Sequence, residues 1–282
     1  VGFGRLEPVQ YARSAMDMQL LLHRNNVLTT DYSAQDLKRI ADKIAEINNV
    51  RFYDFRLRRI VQLEELDETL QEIGNVSESN IRYFTSMADA YLYSKVFPRF
   101  SGMRNELGIT AGLDRKLGQA GDGVVSTQKR LFSYYKFDWH IPQNYSLQHN
   151  IRAMVVGGLQ QYNSDIISAP ISNNPFFVYA SYEFSIYPTT RTNFRFGVDS
   201  FFGAPLNSSF FDVAAARIGL YTEGDIYFTP RIRAFYKAGY IRSAGLIAPL
   251  ANLDHLFVIN NRMYWPTKYR FNLEAGFSIA VF

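Results

Sequence analysis

From Tyr269 onward the chain alternates. Tyr269, Phe271, Leu273, Ala275, Phe277, Ile279 and Val281 take the odd positions, and Arg270, Asn272, Glu274, Gly276, Ser278 and Ala280 the even ones. A side-chain period of two is that of a β-strand with one apolar and one polar face. The same pattern recurs upstream. "FFVYASYEFSIY" sets Phe176, Val178, Ala180, Tyr182, Phe184 and Ile186 against Tyr179, Ser181, Glu183 and Ser185. "SLQHNIRAMVVGGL" sets Leu147, Ile151, Ala153, Val155 and Leu159 against Gln148, Asn150 and Arg152. "RIRAFYKAGY" and "MRNELGITAGL" repeat it. Short Pro-containing stretches punctuate the runs: "VFPRFSG", "WHIPQNYS", "SIYPTTRTN", "YFTPRIR" and "YWPTKYR". Proline cannot donate to a ladder, so it belongs in turns. Taken as hairpin turns, these predict about ten strands.

The first part of the chain has a different period. "AMDMQLLLHR" falls within a first helix, and "SAQDLKRIADKIAEIN" places Leu37, Ile40, Ala41, Ile44 and Ile47 on one face behind Ser33 as a cap. A third helix is predicted over residues 53–73, with Leu57, Ile60, Val61, Leu66, Leu70 and Ile73 inward and Gly74 as the stop. The expected organisation is a helical region over residues 1–80 and a β-region over residues 81–282.

Strand length separates a membrane barrel from a soluble sandwich. Sandwich strands average about five or six residues, whereas strands that cross a bilayer need about nine to eleven, with every second one apolar. The runs here reach the longer class. No run of about eighteen apolar residues is present, which excludes a transmembrane helix. The mean hydropathy of −0.16 does not exclude spanning strands, and 23 Phe, 19 Tyr and 2 Trp suit a barrel with aromatic girdles. The fold expected is therefore mainly β: a transmembrane antiparallel barrel preceded by an α-helical N-terminal region. Cysteine is absent, which rules out thiolate metal sites, disulfides and thiol nucleophiles. A net charge of +4 without a basic stripe implies no nucleic-acid partner, and no cofactor is expected.

The last residues resemble the C-terminal sorting signal of Gram-negative outer-membrane β-barrels. Glu274, Gly276, Ile279 and Val281 occupy its polar, glycine and apolar places, and Phe282 follows. The resemblance implies recognition by the barrel-assembly machinery and contact with outer-membrane lipid. It places the barrel in the cell outer membrane and the N-terminal region in the periplasm. Such barrels keep the C-terminus on the periplasmic side. The "WPTK" turn and the other short turns would then point outward and the longer links inward, the reverse of the usual order.

In an outward-greasy barrel the polar face lines the lumen. That face carries Arg104, Glu106, Lys136, Asp138, Arg152, Glu183, Arg195, Asp199, Arg217, Glu223, Asp225, Arg231, Arg233, Lys237, Arg270 and Glu274, with the two signs mixed. Roughly eight strands leave an interior just filled by side chains, so the lumen is expected to be plugged by ion pairs. None of His23, His140, His149 and His255 sits at metal-ligand spacing. Asp138 with His140, and Asp199 with Ser200, are the residues from which a Ser–His–acid site would have to be assembled. "GQAGDGVV" lacks the Lys–Ser/Thr ending of a phosphate loop. The expected role is an anchor or scaffold in a larger envelope assembly for secretion, polymer export or motility. The helical region would bind protein partners in the periplasm or outer membrane through Leu37, Ile40, Ile44 and Ile47. A small-solute or polymer transport channel is the alternative, and a lipid-modifying enzyme the third reading.

Overall fold

The computed structural model describes residues 1–49, 58–76, 80–93, 96–117, 125–164, 171–206, 215–244 and 269–280. A short strand β1 (Gly2–Pro8) comes first, then four helices: α1 (Gln10–Arg24), α2 (Ala34–Asn49), α3 (Arg58–Ile73) and α4 (Ile81–Leu92). The strands β2 (Phe100–Leu117), β3 (Val125–Pro142), β4 (Leu147–Ser164), β5 (Ile171–Asn173), β6 (Pro175–Thr189), β7 (Thr192–Pro205), β8 (Ala215–Thr229), β9 (Ile232–Ala244) and β10 (Tyr269–Ile279) follow. All pairings are antiparallel. They form one sheet in the order β1-β2-β3-β4-β6-β7-β8-β9-β10, with β5 beside β4. Among the described residues β1 and β10 are the two edges and do not pair with each other. No helix of the described residues is long and apolar enough to cross a membrane.

The helices form where the 3.6-residue pattern and the caps allow. Ser33 and Asp36 cap α2 reciprocally: the Ser33 backbone N–H donates to Asp36 Oδ2 at 3.0 Å, and the Asp36 N–H to Ser33 Oγ at 3.2 Å. Those bonds hold the exposed Asp36 carboxyl below its ordinary pKa. Gly74, at φ 84°, ends α3, its N–H returning to the Leu70 carbonyl. Leu66 and Leu70 are fully buried, while Ile60 is exposed.

Three boundaries differ from the sequence reading. Gly2–Pro8 is a strand on β2, because its backbone pairs with Phe100–Glu106. The helices run on to Leu92: Tyr83, Met87, Ala90 and Tyr91 lie on one buried face of α4, capped by Asn80. The third concerns "YWPTKYR", of which the described part, from Tyr269, already belongs to β10. β9 and β10 are direct neighbours, with Tyr269 opposite Arg242, so no further strand lies between them in the ladder.

That last correction removes the expected inversion. β3, β6, β8 and β10 all run toward the end where the short turns at 143–146, 190–191 and 230–231 lie. The backbone N–H of Ala280 reaches the Arg231 carbonyl there at 2.9 Å. The short turns, the end of β10 and the helices share one end of the sheet, and the longer links share the other.

Cross-strand glycines let aromatic rings lie flat on the neighbouring strand. A Cβ on Gly108 would sit 2.4 Å from the Tyr134 ring, and one on Gly197 2.2 Å from Tyr221. Each aromatic residue is the register partner of its glycine. Glycine is needed at these two positions because nothing larger fits beneath the ring.

Candidate functional site

The faces of the sheet are inverted relative to a soluble protein. Gln128, Asp138, His140, Gln148, Asn150, Ser185, Asn193, Glu223 and Asp225 are buried on one face. Leu131, Trp139, Leu159, Phe196, Leu220, Phe228 and Phe271 are exposed on the other. Burying polar groups costs free energy unless each finds a partner, and here they do so across strands.

The register aligns these partners into rows. Arg195, Glu223, Lys237 and Glu274 face one another in turn across β7, β8, β9 and β10, alternating in sign. Arg195 bonds Glu223 at 2.8 Å and reaches Asp225 at 3.4 Å, while Arg233 holds the other oxygen of Asp225 at 3.2 Å. Arg217 bonds Asp199 at 2.8 Å. Asp138 takes both Arg104 at 2.8 Å and Lys136 at 3.2 Å. Arg152 stands opposite Asp138 in the register yet makes no ion pair among the described residues. It projects into the interior, where it lines two adjoining cavities of about 760 and 260 Å³. Glu183 lines both as well, accepting from Asn150 Nδ2 at 2.9 Å and Tyr221 OH at 3.0 Å.

Most of the residues read from the sequence as lumen-lining do line these cavities: Arg104, Lys136, Asp138, Arg152, Glu183, Arg195, Asp199, Arg217, Glu223, Asp225 and Arg233. Glu106 accepts from Tyr134 OH at 2.7 Å. Arg270 donates to Asn272, itself a cavity residue. Arg231 lies apart from the polar face: it sits exposed in the turn between β8 and β9, directly before the first residue of β9. Of the sorting-signal residues, Glu274, Gly276 and Ile279 lie on β10, while Val281 and Phe282 lie outside the described residues.

Both ends of the interior are filled. At the long-link end Phe132, Met154, Val156, Phe177 and Phe201 form a buried apolar layer, with Phe177 and Phe201 stacked at 5.7 Å. At the short-turn end the connection from α4 to β2 lines the larger cavity with Val96, Phe97 and Pro98. Phe97 meets Tyr187 at 6.1 Å and Tyr227 at 5.4 Å.

A second cluster, not legible in the sequence, joins the helices to this end. Arg99, almost wholly buried, donates to the carbonyls of Asn144, Tyr145 and Leu147 and to Gln148 Oε1. Arg13 of α1 donates to the Thr189 carbonyl at 2.7 Å. Both guanidinium groups stack on Tyr187, at 5.1 and 4.7 Å from its ring centre. Asp17 lies 3.6 Å from Arg13 and accepts from Tyr145 OH. Burial pushes the Asp17 carboxyl up to about 6 against the pull of the two arginines, whose own values burial lowers. Arg191 pairs with Asp89 and lies over the Tyr93 ring. These partners come from turns far apart in the chain, and their only sequence signal is Arg and Tyr beside the prolines.

The face of α2 read as partner-binding is already occupied. Ile40, Ile44 and Ile47 are fully buried in a core shared with Ala15, Met18, Leu22, Leu66 and Leu70, and Leu37 packs against it. Helices of this length are stable only when an apolar face is covered, and here the other helices cover it.

The residues considered for catalysis are not brought together. Asp138 is engaged by Arg104 and Lys136, and His140 Nδ1 lies 2.7 Å from Asn150 Oδ1. Ser200 donates to the Ala180 carbonyl at 3.3 Å. It neighbours Asp199 in a strand whose successive side chains face opposite ways. His149 stacks with Tyr182, an exposed residue of the apolar face. His255 and most of "GQAGDGVV" lie outside the described residues. Among the described residues no group of three or more His, Asp or Glu side chains is placed to hold a metal.

No family model, curated protein or solved structure matches this chain.

Proposed function

We propose that the chain is an outer-membrane β-barrel that anchors a periplasmic helical domain as a scaffold within a larger envelope assembly. The observation that carries this is the inverted sheet: ion pairs and amides inside, Leu, Ile, Phe and Trp outside. In water that arrangement exposes apolar surface far beyond what a monomer tolerates; against acyl chains it is the stable one. Aromatic residues at both filled ends, and paired charges between them, favour an anchor over an open pore. The helical domain is bound to the short-turn end by buried bonds, so it would project from the barrel as one unit. Its exposed apolar groups, available to a protein partner, include Met16 and Leu20, one turn apart on α1, Ile60 on α3, and Ile81 and Phe84 on α4.

A small-solute channel is the second reading, favoured by the cavity of about 760 Å³ and by Arg152 within it, which makes no ion pair among the described residues. The two readings part on a planar bilayer. The anchor gives no steady conductance of nanosiemens size, and such a conductance would reject it. Photo-cross-linkers at Leu20 and Phe84 in intact cells should capture defined proteins, whereas one at the buried Ile44 should not. Equal labelling from all three positions would reject the scaffold surface.

A further inference from the structure

β2 is 18 residues long, and β1 pairs with only its first seven, Phe100–Glu106. Val1 extends that pairing by one residue, exchanging both backbone bonds with Leu107 at 2.7 Å, and the remaining ten residues of β2, Gly108–Leu117, have β3 on one side and no described strand on the other. At the opposite edge β10 is 11 residues long and is paired only with β9. β1 and β10 both run toward the short-turn end, so they cannot join antiparallel. β2 runs away from that end, so β10 and β2 can.

Side-chain exposure marks the same two edges. Leu107, Ile109 and Leu113 on β2, and Tyr269, Phe271, Leu273, Phe277 and Ile279 on β10, are 57–78% exposed. Leu131, Trp139, Val155, Leu159, Tyr182, Phe196 and Phe228, which stand on the same outer face within the ladder, are 37–57% exposed. Met103 serves as an internal control. It lies on β2 where β1 covers the edge, and its exposure is 43%, within the second group. The excess is what a missing neighbouring strand leaves.

Resting on the membrane reading above, we infer that β10 closes antiparallel onto Gly108–Leu117. This completes an eight-stranded wall of β2, β3, β4, β6, β7, β8, β9 and β10, with β1 as a patch strand filling the step that barrel stagger leaves at the short-turn end. Ten residues of β10, Tyr269–Ser278, then fit the free length, and Ala275 falls opposite Ala111, both on the outer face. Because α1 begins directly after β1, the seam is also where the helical domain is tied to the wall. Gly4 supports this tie. Its φ is 95°, and a Cβ there would sit 2.3 Å from the Met103 carbonyl oxygen, so β1 approaches β2 as only glycine permits.

The chain has no cysteine, so introduced pairs can be read without background. Three double variants of the full chain, purified in mild detergent, are oxidised in parallel: A111C/A275C, A111C/F271C and F3C/F277C. A disulfide needs Cα atoms within about 7 Å, and four residues of slip along a strand displace a partner by roughly 13 Å. A monomeric cross-link should form in A111C/A275C on the order of ten-fold faster than in the other two. Preference for F3C/F277C, preference for A111C/F271C, a link between two chains, or no link in any variant would each overturn the seam. Flotation of the unmodified chain with phospholipid vesicles is scored separately. A protein that links at the seam but does not float would reject the membrane reading and leave the closure standing.

Discussion

Tyr221 lies flat across Gly197 on the neighbouring strand and donates its hydroxyl to Glu183 Oε2, 3.0 Å away on the strand beyond. One glycine thereby lets a single side chain tie three strands of the interior together. Gly197→Ala puts a Cβ 2.2 Å from the ring, so the ring must leave and the hydroxyl bond goes with it. The expected cost is about 1–3 kcal/mol from overpacking, read as a lower midpoint in denaturant unfolding from detergent. Tyr221→Phe keeps the ring and should cost only about 1 kcal/mol. A larger loss from Tyr221→Phe than from Gly197→Ala would contradict the packing account.

The interior charges should behave as a set. Arg195→Met takes from Glu223, with 4% of its side chain accessible, the guanidinium bonded to it at 2.8 Å and weakens the hold on Asp225. A buried charge stripped of its partner costs about 3–5 kcal/mol. Arg195→Met with Glu223→Gln should recover a large part of that loss, because the stranded carboxylate is gone. Two single-site costs that simply add in the double variant would mean that the pair is not coupled.

Docking of the helical domain should weaken as pH rises. The Asp17 carboxyl has a folded value of about 6 against an ordinary 3.8. The folded state therefore holds the proton more tightly. Stability is greatest below the lower value, falls as pH rises between the two, and is level above. The span corresponds to about 3 kcal/mol. Protection factors across α1, that is exchange rates corrected for the intrinsic rise of amide exchange with pH, should accordingly be larger at pH 4 than at pH 7. Asp17→Asn should remove most of that difference. An unchanged profile in Asp17→Asn would assign the pH dependence to another group.

A charge on the outer face tests the proposed lipid contact directly. Leu220→Lys stands on β8 within the exposed apolar band and should cost about 2–4 kcal/mol if it lies near the bilayer midplane. The loss would be seen as reduced refolding into phospholipid vesicles. Arg152→Lys, on the opposite face of β4, keeps the charge in the cavity and should refold as the unmodified chain does. Equal effects of the two substitutions would remove the distinction between lipid and interior faces.

Alternation made the strands legible, and with them the polar face: apart from Glu106, the residues named from β2, β3, β4, β6, β7 and β8 reappear together around the cavities. A period of two identifies which residues share a side, and nothing more than neighbours in the chain is needed to read it. The helical period likewise marked α2, but it could not say what covers Ile40, Ile44 and Ile47, since an apolar face looks the same whether a partner or the same chain buries it. The end of the helical region was misplaced because Tyr83, Met87 and Tyr91 are large residues that suit either period.

The sequence by itself determined the strand faces, the mixed charge of the polar one and the helical character of residues before the sheet, because each is written in local periodicity. Only the tertiary structure decided the register that sets Arg195, Glu223, Lys237 and Glu274 in one row, and the closeness of Arg13, Asp17 and Arg99 to Tyr145 and Tyr187. It also decided that the helices sit at the short-turn end with the end of β10. Those relations depend on which strands pair and how far they slide. That is a balance of side chains from distant parts of the chain, and no local pattern carries it.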